Sequence, residues 1–258
     1  MESLDVKNKR RFFNAPTPRF GRGKNRLPVG HQESSPYYWW WQFLRRNASY
    51  MECCAAGGTG ALTDLYRDFG DVRCDDFHAW WTHNQRGAEL FAEQPLSIRF
   101  GELVSRQDWQ PNWSSEDVIV LAVPLTMSKR SLKGAFNDLL QRRHTGKKPG
   151  RISRTEQKES STARYQLERN YTIQSLQTTL AVYDTWVQNK LLPAKERLTL
   201  WQIGKHHKLN RKALENAESS HPADRLVGRN LLGATVGRYV KNATTMIENT
   251  AKGKFPLM

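Results

Sequence analysis

Apolar residues recur at helical spacing in several parts of the chain. The clearest example follows Ser128, where the apolar positions are Leu132, Ala135, Phe136, Leu139 and Leu140. Offsets of three, four, seven and eight place these side chains on one face of an amphipathic helix. The pattern predicts a helix that Ser128 caps, a second that starts after Thr172, and two more over 197–208 and about 225–250.

A denser, aromatic pattern covers residues 36–94, which hold five of the nine tryptophans. Ser35-Pro36 is typical of a helix start, and the glycines from Gly57 to Gly60 predict its end. Shorter helices are predicted over 61–69 and after Asp75-Asp76, which can cap a helix. We expect an acidic helical module that packs internally or provides a surface for a protein partner or for self-association.

An alternation with a period of two predicts strands between these helical regions. Residues 96–100 alternate as in a half-buried strand, and residues 118–123 form an apolar, β-branched run. A further short strand is predicted over 163–167. The predicted fold class is therefore α+β and predominantly helical, with a small central sheet of a few strands.

Positive charge is concentrated in two segments. The chain carries 40 Lys and Arg against 25 Asp and Glu, a net charge of +15. Residues 1–30 have eight basic and two acidic groups, and residues 129–158 have ten basic and two acidic groups. Residues 31–128, in contrast, have seven basic and thirteen acidic groups. Such local charge indicates a polyanionic partner, most simply nucleic acid.

The basic residues lie in a Pro- and Gly-rich arm over 1–35 and in a loop over 142–162, both predicted to be flexible. They would contact phosphates without reading sequence, although the arm could also be a solubilising tail. The candidate residues are Arg10, Arg11, Arg19, Arg22, Lys24 and Arg26 in the arm and Arg142, Arg143, Lys147, Lys148, Arg151 and Arg154 in the loop.

Several protein classes are disfavoured. The chain contains no run of 18 apolar residues, which is the length that a membrane-spanning helix needs. Its N-terminus lacks the apolar region of a secretory signal. Three cysteines give no disulfide framework and favour a reducing compartment. The common nucleotide-binding, hydrolase and zinc-protease motifs are missing. We therefore expect a cytoplasmic, non-enzymatic protein with no cofactor and no membrane partner.

The sharpest functional pattern lies in the last 60 residues. Residues 200–204 look like the first helix of a helix-turn-helix, and residues 234–239 look like the start of its second helix. Ile203 and Val236 are suited to lock the two helices together. Four polar residues could then contact base edges and phosphates: Thr235, Arg238, Lys241 and Asn242.

The run Thr235-Val236-Gly237-Arg238 resembles helix-turn-helix regulators, in which Thr-Val-x-Arg commonly opens the recognition helix. This resemblance covers residues 198–242 and implies sequence-specific DNA binding. The chain departs from the pattern at the polar stretch 210–224, which replaces the usual three- or four-residue turn. Two ordinary amphipathic helices would produce the same pattern.

A second string, Trp41-x-Phe43-Leu44-Arg45-Arg46-Asn47-x-x-Tyr50, is similar to one near the start of small bacterial regulator-like proteins of mobile elements. Arg45 and Arg46 beside exposed rings could stack on bases or contact phosphate. The negative charge of residues 31–128 favours a different interpretation, in which the rings form a core and the two arginines are solvated.

Two metal-based interpretations stay open. Cys74 and His78 are four residues apart and could bind zinc with an upstream cysteine, although the adjacent Cys53 and Cys54 cannot easily share one ion. Five aspartates could form a magnesium-dependent nuclease site, although helix capping also explains several of them. They are Asp64, Asp68, Asp71, Asp75 and Asp76.

The sequence therefore predicts a DNA-binding protein, most simply a sequence-specific transcriptional regulator of bacterial, phage or mobile-element origin, although RNA is also a possible target. Two different functions stay open: a non-sequence-specific nucleic-acid-binding subunit of a replication, recombination or defence complex, and a metal-dependent nuclease. The predicted domains are the arm 1–35, the aromatic module 36–94, an α+β core 95–192 and a helix-turn-helix-like region 193–258.

Overall fold

The computed structural model describes residues 12–21, 23–93, 119–143 and 161–258. The chain divides into two compact units, one made of residues 1–94 and 154–258 and the other of residues 95–153. Within the described residues every regular element is helical, and the β pairing consists of isolated bridges, Phe12 with Glu93 and Leu167 with Phe255. The predicted central sheet, and with it the α+β fold class, is wrong.

Two of the three predicted strands fall on described residues, and neither of them forms a regular strand. Residues 96–100 lie outside the described residues. Residues 119–123 have no regular secondary structure, and Val120 and Val123 are 56% and 55% exposed. A β-branched run favours extended backbone, but a strand also needs a neighbour for its hydrogen bonds and a surface to pack against. Residues 163–167 contribute only the bridge at Leu167.

Four predicted helix starts are confirmed by capping side chains. Each capping side chain accepts a hydrogen bond of 3.1–3.3 Å from a backbone N–H two or three residues later: Ser35, Asp76, Ser128 and Thr172. The α-helices of the described residues are α1 Gly30–Glu33, α2 Pro36–Leu44, α3 Ala48–Ala55, α4 Thr63–Phe69, α5 Phe77–Thr82, α6 Arg86–Phe91, α7 Lys129–Arg143, α8 Ile173–Leu191, α9 Leu200–His206, α10 Arg211–Ala217 and α11 Pro222–Thr250.

The helix predicted from Pro36 to Gly57 is two helices, because the chain breaks at Asn47. The Asn47 side-chain oxygen accepts a hydrogen bond from Tyr50 N at 2.9 Å and caps α3. Its Nδ2 donates to the Ile247 carbonyl at 2.9 Å. A residue of the last helix, 200 positions away, therefore holds this break in place.

One aromatic core joins the N-terminal helices to the long C-terminal helices. Trp40, Trp41 and Phe43 are at most 1% exposed and belong to the same buried cluster as Leu176 of α8 and Met246 of α11. The aromatic module and the C-terminal helices thus fold as one unit. Most aromatic rings of the module are buried in this core.

A smaller cluster holds the helices that follow α8. It contains Val182, Ile203, Leu209, Ala213, Ala217, Leu232 and Val236. α9 and α10 therefore pack on the long helix α11 through buried apolar side chains. None of the helices in the described ranges has the length and apolar character needed to cross a membrane.

Candidate nucleic-acid interface

The structure changes the second helix of the predicted helix-turn-helix. Residues 234–242 lie in the middle of α11, which is continuous from Pro222 to Thr250. Thr235 is 7% exposed, and its hydroxyl donates to the Leu231 carbonyl at 2.8 Å. Thr235 and Val236 thus belong to the buried face of a long helix and do not begin a new one. Of the other three candidates, Arg238 and Lys241 are exposed and Asn242 is half-buried.

A helix that the apolar pattern missed occupies part of the polar stretch 210–224. Asn210 has a left-handed φ of 49°, and its side-chain oxygen accepts a hydrogen bond from Ala213 N at 3.2 Å. α10 follows, with Ala213 and Ala217 as its buried contacts. Two small apolar residues four positions apart are too weak a pattern to distinguish this helix from a loop.

α9 and α10 are separated by four residues, 207–210. A turn of three or four residues is typical of a helix-turn-helix. Ile203 of α9 and Ala213 of α10 are fully buried in one cluster with Leu232 and Val236 of α11. The chain therefore supplies two short consecutive helices packed on α11, and the helix that follows the turn is α10, whereas the sequence predicted residues 234–242 for this position.

Two glycines let these helices approach α11. A Cβ atom on Gly204 would lie 3.2 Å from Leu232 Cβ, which is a tight contact. A Cβ on Gly228 of α11 would lie 2.3 Å from Ala217 N and 2.6 Å from the Ala213 carbonyl oxygen. The crossing of α10 and α11 at Gly228 is closer than the crossing of α9 and α11 at Gly204, since it brings the backbones of the two helices together. It fixes where α10 sits on α11.

The turn is anchored to α8 through His207. The Nε2 of its ring lies 2.8 Å from Thr185 Oγ1. Burial lowers the pKa of His207, and the adjacent His206 lowers it further. The folded protein therefore favours the neutral imidazole in the turn.

Acidification should weaken this anchor. Because the pKa of His207 is lower in the folded than in the unfolded chain, the folded state binds fewer protons, and stability falls as the pH drops below about 6.5. We expect the melting temperature to fall more between pH 7.5 and 5.5 in the wild type than in His207→Gln, measured by circular dichroism. Identical pH profiles would contradict a role for this ring.

Exposed cations surround the turn and the start of α10. Lys208, Arg211 and Lys212 are all exposed. The Arg211 Nε lies 2.9 Å from Glu215 Oε1, an exposed pair on the same helix. Lys208 and Lys212 form no ion pair with any described residue, so their charges are available to an anionic partner.

The arm is folded over its described part and is not free there. Phe13 lies 6.0 Å from Trp81, ring centre to ring centre, and Ser35 Oγ donates to the Pro16 carbonyl at 2.7 Å. These contacts tie the arm to the aromatic core, which composition did not indicate. Its exposed candidates are Arg19, Lys24 and Arg26, of which Arg26 pairs with Asp76 at 3.3 Å. Arg10, Arg11 and Arg22 lie outside the described residues.

Some candidate residues of the predicted basic loop are described by the structure, and the others lie outside the described residues. Arg142 and Arg143 are exposed at the end of α7. That helix has no buried residue, and its apolar positions Leu132, Phe136, Leu139 and Leu140 are half-buried. Lys147, Lys148, Arg151 and Arg154 lie outside the described residues.

Both arginines of the second sequence string, Arg45 and Arg46, form ion pairs within the fold. Arg46 makes a bidentate ion pair with Asp184 of α8, with Nε–Oδ1 and Nη2–Oδ2 distances of 2.9 and 2.6 Å. The Arg45 guanidinium lies 4.6 Å from the Trp41 ring centre and pairs with Asp75. The buried rings agree with the interpretation that they form a core, whereas both arginines are held in ion pairs and do not form the solvated face that was expected.

The residues of the metal-based interpretations are spread among other contacts. Cys53 and Cys54 are buried and Cys74 is exposed. Each aspartate pairs with a different arginine: Asp64 with Arg67, Asp68 with Arg164, Asp71 with Arg73, Asp75 with Arg45 and Asp76 with Arg26. The hydrogen bond from Arg73 lowers the pKa of Asp71. Across the described ranges, no three His, Cys, Asp or Glu side chains come together as metal ligands would.

The surface around residues 207–212 is therefore the candidate nucleic-acid interface. It combines a four-residue turn, a short second helix and two cations without an acidic partner among the described residues. Sequence reasoning placed the first helix here but assigned readout to residues of α11. Comparison of the chain with protein-family models, curated proteins and solved structures finds no match.

Proposed function

We propose that the protein binds DNA through the helix-turn-helix formed by α9, residues 207–210 and α10, and that it acts as a sequence-specific transcriptional regulator. The observation that carries the proposal is the pair of available cations, Lys208 in the turn and Lys212 at the start of α10. In helix-turn-helix proteins the first residues of the second helix reach base edges, while neighbouring side chains contact the phosphates.

The charge of two parts of the chain, taken separately, supports a polyanionic partner. Residues 193–258 contain twelve Lys and Arg and five Asp and Glu. The α7 helix adds five basic residues against one acidic residue. Each cation that neutralises a phosphate releases a counterion, so this composition favours binding that weakens as salt is added.

Reversing both available charges should disrupt this binding. We expect Lys208→Glu/Lys212→Glu to raise the Kd for duplex DNA by about 100-fold and to reduce the slope of log K against log salt by about two. The measurement is fluorescence anisotropy of a labelled duplex at several salt concentrations. Lys252→Glu/Lys254→Glu is the matched control, because it reverses two exposed lysines after α11. An equal loss in both variants would mean that only net charge matters.

Sequence specificity needs a separate test. Selection of bound fragments from random duplexes at near-physiological salt should enrich one motif, and scrambling that motif should lower affinity by a factor of about 1,000 or more. Equal affinity for all sequences would instead favour the non-sequence-specific subunit. A competition with single-stranded and duplex RNA distinguishes an RNA target in the same assay.

A further inference from the structure

α11 carries an exposed seam on the side away from α9. Successive seam residues are separated alternately by three and four positions, so they share one helical stripe. They are Asp224, Val227, Leu231, Ala234 and Arg238. Val227 is 56% exposed and Leu231 47%. α9 lies on the other side, where the Arg229 guanidinium is 4.5 Å from the Trp201 ring centre.

The charges of this seam are self-complementary. Asp224 lies seven residues before Leu231, and Arg238 lies seven residues after it. Among the described residues of its own chain, the side-chain contacts of Asp224 are long, 3.4 Å to Ser219 Oγ and 3.9 Å to His221 Nδ1. Arg238 has no ion pair with the described residues. Two copies in parallel would bring like charges together, whereas two antiparallel copies would bring opposite charges together.

We propose that two copies of this chain associate through the seam as an antiparallel pair, with a two-fold axis near Leu231. The apolar centre of Val227, Leu231 and Ala234 would lose its exposure to water. Each Asp224 would lie beside Arg238 of the partner subunit. A two-fold contact of this kind closes on itself and stops at two copies.

This proposal does not depend on DNA binding. If both proposals hold, the two helix-turn-helix elements are related by the same axis, and the selected DNA motif should be a palindrome. The assembly is therefore tested without DNA, so that failure of either proposal leaves the other one open to its own test.

Sedimentation equilibrium of the full chain over about 1–100 μM should show a reversible dimer, the range in which modest interfaces associate. Leu231→Asp should raise the dimer Kd at least about tenfold, because it places a charge at the axis. Leu226→Asp is the matched control. Leu226 is 62% exposed on the same helix but lies about 140° around it from Leu231. A monomeric wild type, or equal effects of the two variants, would overturn the proposal.

A charge swap tests the antiparallel arrangement. Arg238→Asp and Asp224→Arg should each raise the dimer Kd about fivefold or more, and the double variant should return it to near the wild-type value. Circular dichroism spectra verify that all variants keep their helix content. If the double variant is as weak as the single variants, the antiparallel pairing is refuted.

Discussion

Steric overlap should cost the Gly228→Ala variant about 2–3 kcal/mol of unfolding free energy before any compensation. Its added Cβ would lie 2.3 Å from Ala217 N and 2.6 Å from the Ala213 carbonyl oxygen. These are backbone atoms of α10, so no side-chain rotation can relieve the overlap. The helix preference of alanine over glycine offsets only about 1 kcal/mol of this loss. Chemical denaturation followed by circular dichroism measures the change.

The same helix provides an internal control. A Cβ on Gly237 would have no atom within 4 Å outside its immediate surroundings. Gly237→Ala should therefore stabilise the protein by up to about 1 kcal/mol. The two substitutions should thus have opposite signs, and two stabilising results would show that α10 does not approach α11 this closely.

Gly228→Ala also links the fold to the proposed function. A displaced α10 moves Lys212 relative to the turn, so DNA affinity should fall even under conditions where the variant stays folded. The unchanged charge of this variant separates the effect of position from that of electrostatics. A folded Gly228→Ala protein with wild-type affinity would argue against α10 as the reading helix.

Trp40→Ala should cost about 3–5 kcal/mol, because it removes the largest kind of side chain from the centre of the core. Trp40 is fully buried. Its ring centre lies 5.2 Å from that of Phe91 and 5.4 Å from that of Phe255. The cavity would open where the N-terminal helices meet the C-terminal tail, so both parts should lose stability in one transition. Urea unfolding followed by tryptophan fluorescence and by circular dichroism measures this.

Conservative variants separate packing from hydrogen bonding. The Trp40 Nε1 has no hydrogen-bond partner in the described structure, whereas the Trp80 Nε1 donates to the Phe69 carbonyl at 2.6 Å. Trp80→Phe leaves that carbonyl unpaired, at a further cost of about 1–3 kcal/mol. We therefore expect Trp80→Phe to be more destabilising than Trp40→Phe. The reverse order would show that shape, not hydrogen bonding, dominates at these positions.

The predictions that succeed concern caps and helical periodicity. Ser35, Asp76, Ser128 and Thr172 cap helices because each side chain reaches a backbone N–H only two or three residues away. The strand predictions that can be tested fail, since the apolar run at 119–123 has the composition of a strand but no regular secondary structure. Local composition specifies a preference for extended backbone but not a neighbouring strand.

The candidate site was predictable only in part. The pattern at residues 200–204 located the first helix correctly, and Ile203 is buried as expected. The second helix was missed because its buried residues are two alanines. The usable signal was Asn210, a favoured N-cap residue placed just where a four-residue turn would end. Lys208 and Lys212 would have followed from that choice.

Helix caps and amphipathic faces can be read from this chain alone, because they arise from residues within about four positions of one another. The sequence alone does not show which of those faces pack against each other. The contact of Asn47 with Ile247, the ion pair of Arg46 with Asp184 and the crossing at Gly228 all join distant segments. Such contacts depend on the shape and spacing of whole helices, which become defined only when the chain has packed. For this reason the sequence alone did not show that the aromatic residues share a core with the C-terminal helices, or that α10 follows α9 and packs on α11.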